Sequence, residues 1–586
     1  MTPPINLRKF GGLLPRVPLT DLPINAAAVA ENIDFGYNEL RSLRGDFKLR
    51  DLAIVARSVF SVDGLRFYVW PEDVDAVISP LQNGPASDRL YYTTASDFRV
   101  TPISLATIAG APPSTSFRVG VPRPTTPPRI NVEHPVAPKG PIATVEATPA
   151  DTYQARLTAA QLAADATFKS SVVTGTENRT YTYTYANVYQ EQGPPSEAAM
   201  IEVKAITVSG VTTYSKVTVE VTFDGTADYV PITGARLYRQ GGASDEYFFV
   251  KTISGTEGKV QTVDTTGAGA LNEVLQSENA YPPSPQLTGL FNIGNGILCA
   301  WKGRELWFSD AYRPWSWPPA YMITVPHTIV GAHLHAAGAL VTTVAEPSLI
   351  SGVSPDAMAE IPLDIAHAGA SKWSVISIAG RALYACHDGI VAVEGSSPSM
   401  ALSDRFFTRE VWRERCGAGL ASMQFARYDG KLIVFSKTGA FVPFMIDLSE
   451  GGEMTDLPQL VASTAAVLTT SDQMYVVSGT TLRQFGGGSM LPLRWATGDI
   501  VLAAPAALAV AQVECTGDFT IRFYQKDKLG YTKTVGSGET IFYLPTEPRD
   551  GHSGLEPSDR WKFEISGTGR FKRLRAASSI RGLKDI

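Results

Sequence analysis

Short apolar runs alternate with glycine-bearing turns over most of this chain. Between Ser374 and Glu394 the runs Ser374–Ile378, Ala382–Cys386 and Ile390–Glu394 are separated by turns at Gly380 and at Asp388-Gly389. Runs this short do not make long helices, and Asp-Gly supplies the positive φ that a tight hairpin demands. The segment predicts a meander of three antiparallel strands.

The pattern recurs. Phe291–Ile293 turns at Gly294-Asn295-Gly296 into Ile297–Trp301, which turns at Gly303 into Glu305–Ser309. Ile329–His335 turns at Gly338 into Ala339–Val344, Phe425–Tyr428 at Asp429-Gly430 into Lys431–Phe435, and Ala466–Thr470 at Asp472 into Met474–Val477. The turn residues Gly296, Gly338, Gly380, Gly430 and Asp472 stand 42, 42, 50 and 42 residues apart. A period of about 40–45 residues with several strands per unit is that of propeller blades. The Gly-His and Trp-Asp signature of WD40 arrays is missing. Val59–Val62, turning at Asp63-Gly64 into Leu65–Trp70 and followed by Arg89–Thr93, predicts a sixth blade. Six blades close a ring and leave no open sheet edge, and five could also close.

Two proline-rich breaks, Val121–Pro128 and Tyr281–Pro285, bracket an insertion. Tyr181–Tyr185 and Val217–Phe223 alternate with period two inside it, and Ala235–Arg239 and Tyr247–Val250 flank a polar turn, as in a small antiparallel sandwich. After about residue 496 the blade spacing stops, and Gln512–Cys515, Thr520–Tyr524, Ile541–Leu544 and Trp561–Ile565 predict another β-domain. At the other end, Ala26–Asn32 is alanine-rich and predicts a short helix capped by Asn25. The expected fold is therefore all-β. It comprises an N-terminal arm with a short helix (1–50), a first blade (51–120), an inserted fibronectin-III-like sandwich (121–287), the remaining blades of a six-bladed propeller (288–495) and a C-terminal β-domain (496–586).

Composition adds limits. With 586 residues, 44% of them hydrophobic and 18% charged, the chain can build several apolar cores. A net charge of -6 argues against a broad basic surface for gripping nucleic acid, but does not exclude a protein that DNA merely passes through. No apolar run is long enough to span a bilayer, and the first residues do not read as a signal peptide. Cys299, Cys386, Cys416 and Cys515 are far apart and predict buried free thiols.

No nucleophile, metal or phosphate motif stands out, so no catalytic residue, metal ligand or cofactor is assigned and the expected chain is not an enzyme. His333 and His335 share one strand face, which could begin a metal site, but no third ligand is near in sequence. The aromatic cluster Trp301, Trp307, Phe308, Tyr312, Trp315 and Trp317 could stack sugars or bases; blade core plus a proline-fixed loop is the simpler reading.

Three stretches resemble the tail nozzle, or tail tubular B, proteins of short-tailed phages. The first is Gly11–Arg16 with the Ala-rich segment ending in Glu31-Asn32 and Leu40–Gly45. The second is Leu306–Pro314, followed by Gly352–Pro355, His387–Gly389 and Phe407–Trp412; the third is Glu564–Gly569. The resemblance covers most of the chain, and the order of these short motifs makes it specific. It implies a virion tail protein that forms a ring, usually of six copies, below the portal and adaptor proteins. Such a ring extends the DNA channel, offers outer surfaces to fibres or spikes, and passes DNA without sequence-specific binding or stable membrane insertion. Arg16, Arg41 and Arg44 lie on a segment too poor in apolar residues to form its own core, so they are expected, with Trp315 and Trp317, at an interface. The alternative is a propeller that binds or depolymerises carbohydrate on the host surface.

Overall fold

Successive side chains of a strand point to opposite faces. In the strand Ile297–Lys302, Leu298 and Ala300 enter one core with Tyr91, Phe98 and Trp317, whereas Ile297, Cys299 and Trp301 enter another with Ile329 and Val341. In Arg381–Cys386, Leu383 and Ala385 pack with Phe425 and Val434, while Ala382, Tyr384 and Cys386 pack with Leu340 and Leu349. Each of these strands is buried on both faces, which is why it reads as an unbroken apolar run.

The computed structural model describes residues 5–584 apart from 82–86, 137–158, 171, 209, 241–243, 268–269, 379, 450, 469 and 546–554. The described chain is all-β, with small antiparallel sheets beside one fourteen-stranded sheet that joins sheet 6 below to the N- and C-terminal strands. Sheet 1 is the hairpin Ser58–Ser61 with Phe67–Trp70, and sheet 2 is Asp75–Ile78, Arg89–Thr93, Phe98–Pro102 and Phe117–Arg118. Sheets 3, 4 and 5 are four-stranded meanders that open with Thr288–Gly294, Ile329–His335 and Ile376–Ile378. Sheet 6 runs from Met423–Tyr428 to Met454–Asp456. Sheet 7 begins at Thr464–Leu468, and its fourth strand is the N-terminal segment Phe47–Asp51, paired with Thr481–Gln484.

These sheets adjoin one another in a cycle. The opening strands of sheets 2 and 3, 3 and 4, 4 and 5, 5 and 6, 6 and 7, and 7 and 1 touch. Sheets 1 and 2 share a core in which Trp70 and Tyr92 lie 5.5 Å apart. Among the described residues the expected first blade at 51–120 is thus two sheets, and seven sheets follow one another round this cycle. Val59 and Val69 face sheet 7, whereas Tyr68 and Trp70 face sheet 2. The opening strand of sheet 2, Asp75–Ile78, is short and only half-buried, so its apolar signal is weak.

The expected N-terminal helix is a strand. Ala27–Glu31 pairs antiparallel with Leu493–Thr497 and meets Asp456 of sheet 6 at Glu31. Alanine's helix preference is worth under about 1 kcal/mol per residue and yields to pairing on both edges, with Ala27 and Ala30 buried. Asn25 accepts a bond from the Gly11 amide through its backbone carbonyl. Nor is the C-terminal β-domain separate. Its two long strands, Val510–Gln525 and Ser558–Ala577, pair along their length, and the latter also binds Ile5–Leu7 and Leu40–Ser42.

The insertion is a two-sheet sandwich. Arg129–Glu133, Lys216–Phe223 and Gly258–Asp264 form one sheet. Val172–Asn187, Ala199–Val208, Val211–Tyr214, Ile232–Gln240 and Tyr247–Ser254 form the other. Tyr181, Tyr183, Tyr185, Val217, Val219, Val221 and Leu237 fill the core, as their period-two spacing predicts. A helix, Ala159–Ser170, precedes the long strand, and residues 137–158 of the insertion lie outside the described residues.

Candidate functional site

The sandwich meets sheets 2 and 3 through buried charge. Arg89 on sheet 2 reaches Glu191 on a sandwich turn at 2.6 Å, with exposures of 3% and 5%. The Arg89 guanidinium lies 3.7 Å from the centre of the Tyr189 ring, and the Asn187 amide donates to the other Glu191 oxygen at 2.6 Å. The hydroxyl of neighbouring Tyr91 is buried against the Arg89 guanidinium. Burial pushes the Tyr91 hydroxyl well above the usual phenol range, so it stays protonated.

Beside this pair opens a cleft of about 210 Å³. One wall is the turn Gln190–Gln192 with Arg236 and Tyr238 of the strand Ile232–Gln240. The other is the segment from Glu273 to Ala280 with Arg313 and Trp315 of the proline-fixed loop. Burial pushes Tyr238 up to about 12, and its hydroxyl donates to Gln192 Oε1 at 2.8 Å. Arg236 donates to Glu273 at 2.6 Å and lies over Phe249. The loop is held in place: the Trp317 amide donates to Tyr281 O at 2.8 Å, and the Ser316 amide to Arg313 O at 2.9 Å.

A second polar cluster joins sheets 2, 3, 5 and 6. Lys437, just after a sheet 6 strand, reaches Asp73 at 2.8 Å, and Lys372, just before sheet 5, reaches Asp75 at 3.1 Å. Lys437 Nζ stands 4.3 Å from the centre of the Trp373 ring, and the Gly289 amide donates to Asp75 at 2.9 Å. Burial pulls Lys437 below the usual lysine range, and Asp73 offsets part of that. Both carboxylates are therefore engaged by ammonium groups.

The aromatic residues singled out in the sequence part company. Trp301, Phe308 and Trp317 are core, Trp307 donates to Glu305 at 3.0 Å, and Tyr312 is exposed over Gly296. Trp315 is half-buried at the cleft. The arginines of the arm find partners within the chain: Arg16 donates to the Asp404 carbonyl, Arg41 pairs with Glu39 at 2.7 Å, and Arg44 donates to Gly488 O at 3.3 Å. His333 stacks on Phe291 at 6.1 Å, and burial lowers the pKa of both His333 and His335. Among the described residues no group of three or more metal-ligating side chains occurs. All four cysteines are buried and free. No helix among the described residues is long and apolar enough to cross a membrane.

Sequence reasoning missed Arg89, Glu191, Asp73, Asp75, Lys372 and Lys437. Each cluster gathers residues far apart in the chain, and no local motif marks them.

No family model matches the chain, and no curated protein does. Solved structures do match. A glycoside hydrolase family 43 arabinoxylan arabinofuranohydrolase from Bacillus subtilis is 12% identical, with 64% of this chain and 95% of that one covered and a TM-score of 0.18. The extracellular domain of a putative one-component system from B. thetaiotaomicron is 9% identical, with 94% and 99% covered and a TM-score of 0.23. An exo-β-1,3-galactanase from Phanerochaete chrysosporium is 8% identical, with 86% and 100% covered and a TM-score of 0.16. The expectation that the chain is not an enzyme is corrected at this point: its structural matches include glycoside hydrolases. At these TM-scores the likeness brings no substrate or mechanism to this chain.

Proposed function

We propose that the chain is a structural subunit of a short-tailed phage tail, of the nozzle type. In this reading it is a β-propeller carrying a fibronectin-III-like sandwich, and six copies form a ring below the portal and adaptor proteins. The ring extends the DNA channel and holds fibres or spikes on its outside. The observation that carries this reading is where the family-like residues lie: they fasten the arm, the ring and the C-terminal sheet into one body. The Gly12 amide donates to Glu453 at 2.6 Å, the Leu13 amide to Met454 O at 2.9 Å, and Trp495 Nε1 to Gly11 O at 3.0 Å. Leu40 pairs with Phe571 in the C-terminal sheet. Phe407 packs edge-on against Trp412, whose Nε1 donates to Cys386 O in sheet 5 at 3.1 Å. Arg16 and Arg44 are exposed and available to a neighbouring copy as well as to their own chain. Electron microscopy of the purified chain tests the proposal: rings with a central opening are expected, and single separate bodies at every concentration would contradict it.

A second reading, binding or depolymerisation of host-surface carbohydrate, is favoured by Trp315, which packs against the core of Tyr91, Phe98 and Trp317 and also lines a polar cleft. A glycan array combined with an assay for released reducing ends tests it.

A further inference from the structure

We propose that Lys437 and Lys372 latch the propeller across its own axis, tying the weakly packed sheets 1 and 2 to sheets 5 and 6.

Round the cycle sheet 2 adjoins sheets 1 and 3, whereas sheets 5 and 6 stand on the far side of the ring. Yet Lys437, just after a sheet 6 strand, reaches Asp73 at 2.8 Å, and Lys372, at the entry to sheet 5, reaches Asp75 at 3.1 Å. Groups from members of a ring that are not neighbours meet only over its central opening. The Lys437 ammonium also donates to the Arg57 carbonyl at 3.2 Å, next to the first strand of sheet 1. Asp75 accepts a further bond from the Gly289 amide of sheet 3 at 2.9 Å. Groups in or beside sheets 1, 2, 3, 5 and 6 thus converge at one place. The Trp373 ring ties the two cations together, because the ammonium groups of Lys437 and Lys372 stand 4.3 Å and 5.5 Å from its centre, within cation–π range.

The latch lies where the ring is thinnest. Sheet 1 has two strands, whereas sheets 2, 3, 4, 5 and 7 have four each. The opening strand of sheet 2, Asp75–Ile78, contains no fully buried residue. Asp75 begins that strand and Asp73 precedes it by two residues, so both carboxylates hold the element that has the least apolar packing of its own. Two ammonium groups face two carboxylates, so the cluster carries no surplus charge. Lys437 is only 11% exposed, so salt screens its pair less than it screens a surface pair.

Hydrogen exchange read by mass spectrometry on the full chain tests this, with Lys437→Met and Lys372→Met as variants. Methionine keeps an apolar stem and removes the charge. In each variant the amides of Ser58–Ser61, Phe67–Trp70 and Asp75–Ile78 should exchange about tenfold faster or more, while those of Gly338–Thr343 in sheet 4 keep their rate. Adding Asp73→Asn to Lys437→Met should bring little further change, because both act through one contact. Unchanged exchange in sheets 1 and 2 would overturn the latch. So would an equal rise in every sheet, or a double variant whose effect is the sum of the two single ones. Should Lys437→Met fail to fold, Lys372→Met decides, since Asp75 then keeps its bond from Gly289.

Discussion

Arg89 and Glu191 stand 102 residues apart in sequence and meet at 2.6 Å in a setting where both side chains are almost fully buried. A buried ion pair adds little to stability over a well-packed apolar pair, but removing one partner strands a charge and costs about 3–5 kcal/mol. Glu191→Ala should therefore destabilise the chain by that order in denaturant unfolding. Combining it with Arg89→Met should recover most of the loss. A single-variant loss below about 1 kcal/mol would mean the pair does not fasten the sandwich to the ring. Excising the sandwich should likewise succeed better with Arg89→Met than without it.

Asp46 gives a pH-dependent term. Burial pushes its carboxyl up to about 6 against an Arg483 that pulls it down. A folded-state value above the unfolded one means that the folded chain holds the proton more tightly. The contribution is complete below about pH 4 and is lost as pH rises through about 6. At pH 7 the buried carboxylate is a cost, so Asp46→Asn should raise stability by ~1–3 kcal/mol there and by much less at pH 4. Unfolding curves at both values check this; an equal effect at the two would contradict it.

Gly12 has no room for a side chain, because a Cβ there would overlap the Met454 backbone. Gly12→Ala should cost roughly 1–3 kcal/mol and loosen the arm. Limited proteolysis should then cut within residues 5–45 before the ring is touched. Unchanged protection would show that the arm is held elsewhere.

The four cysteines should be inert to a thiol reagent in the folded chain. All are buried, and burial pushes the Cys416 thiol up to about 12. Labelling should appear only in denaturant, and rapid labelling of any native thiol would contradict the burial.

What could be read in the sequence was local. Gly296, Gly338, Gly380, Gly430 and Asp472, picked out by spacing, all have positive φ at the first turn of sheets 3 to 7. A turn needs that conformation whatever surrounds it, so its residue type is a reliable mark. Ala27–Glu31 is the opposite case, since its strand state depends on Leu493–Thr497, at the far end of the chain. The same applies to Phe47–Asp51, which completes sheet 7, and to the short opening strand of sheet 2. Of the candidate sites, Trp315 is visible as an aromatic beside prolines, but Glu191 and Arg89 carry no local signature. They become a site only when two distant modules meet.

The central claim, a subunit that assembles into a ring, is tested most directly by the mass of the purified full chain in solution over a range of concentrations. The account predicts a discrete closed oligomer, a hexamer, appearing as concentration rises. A species that stays at the mass of one chain throughout would contradict it.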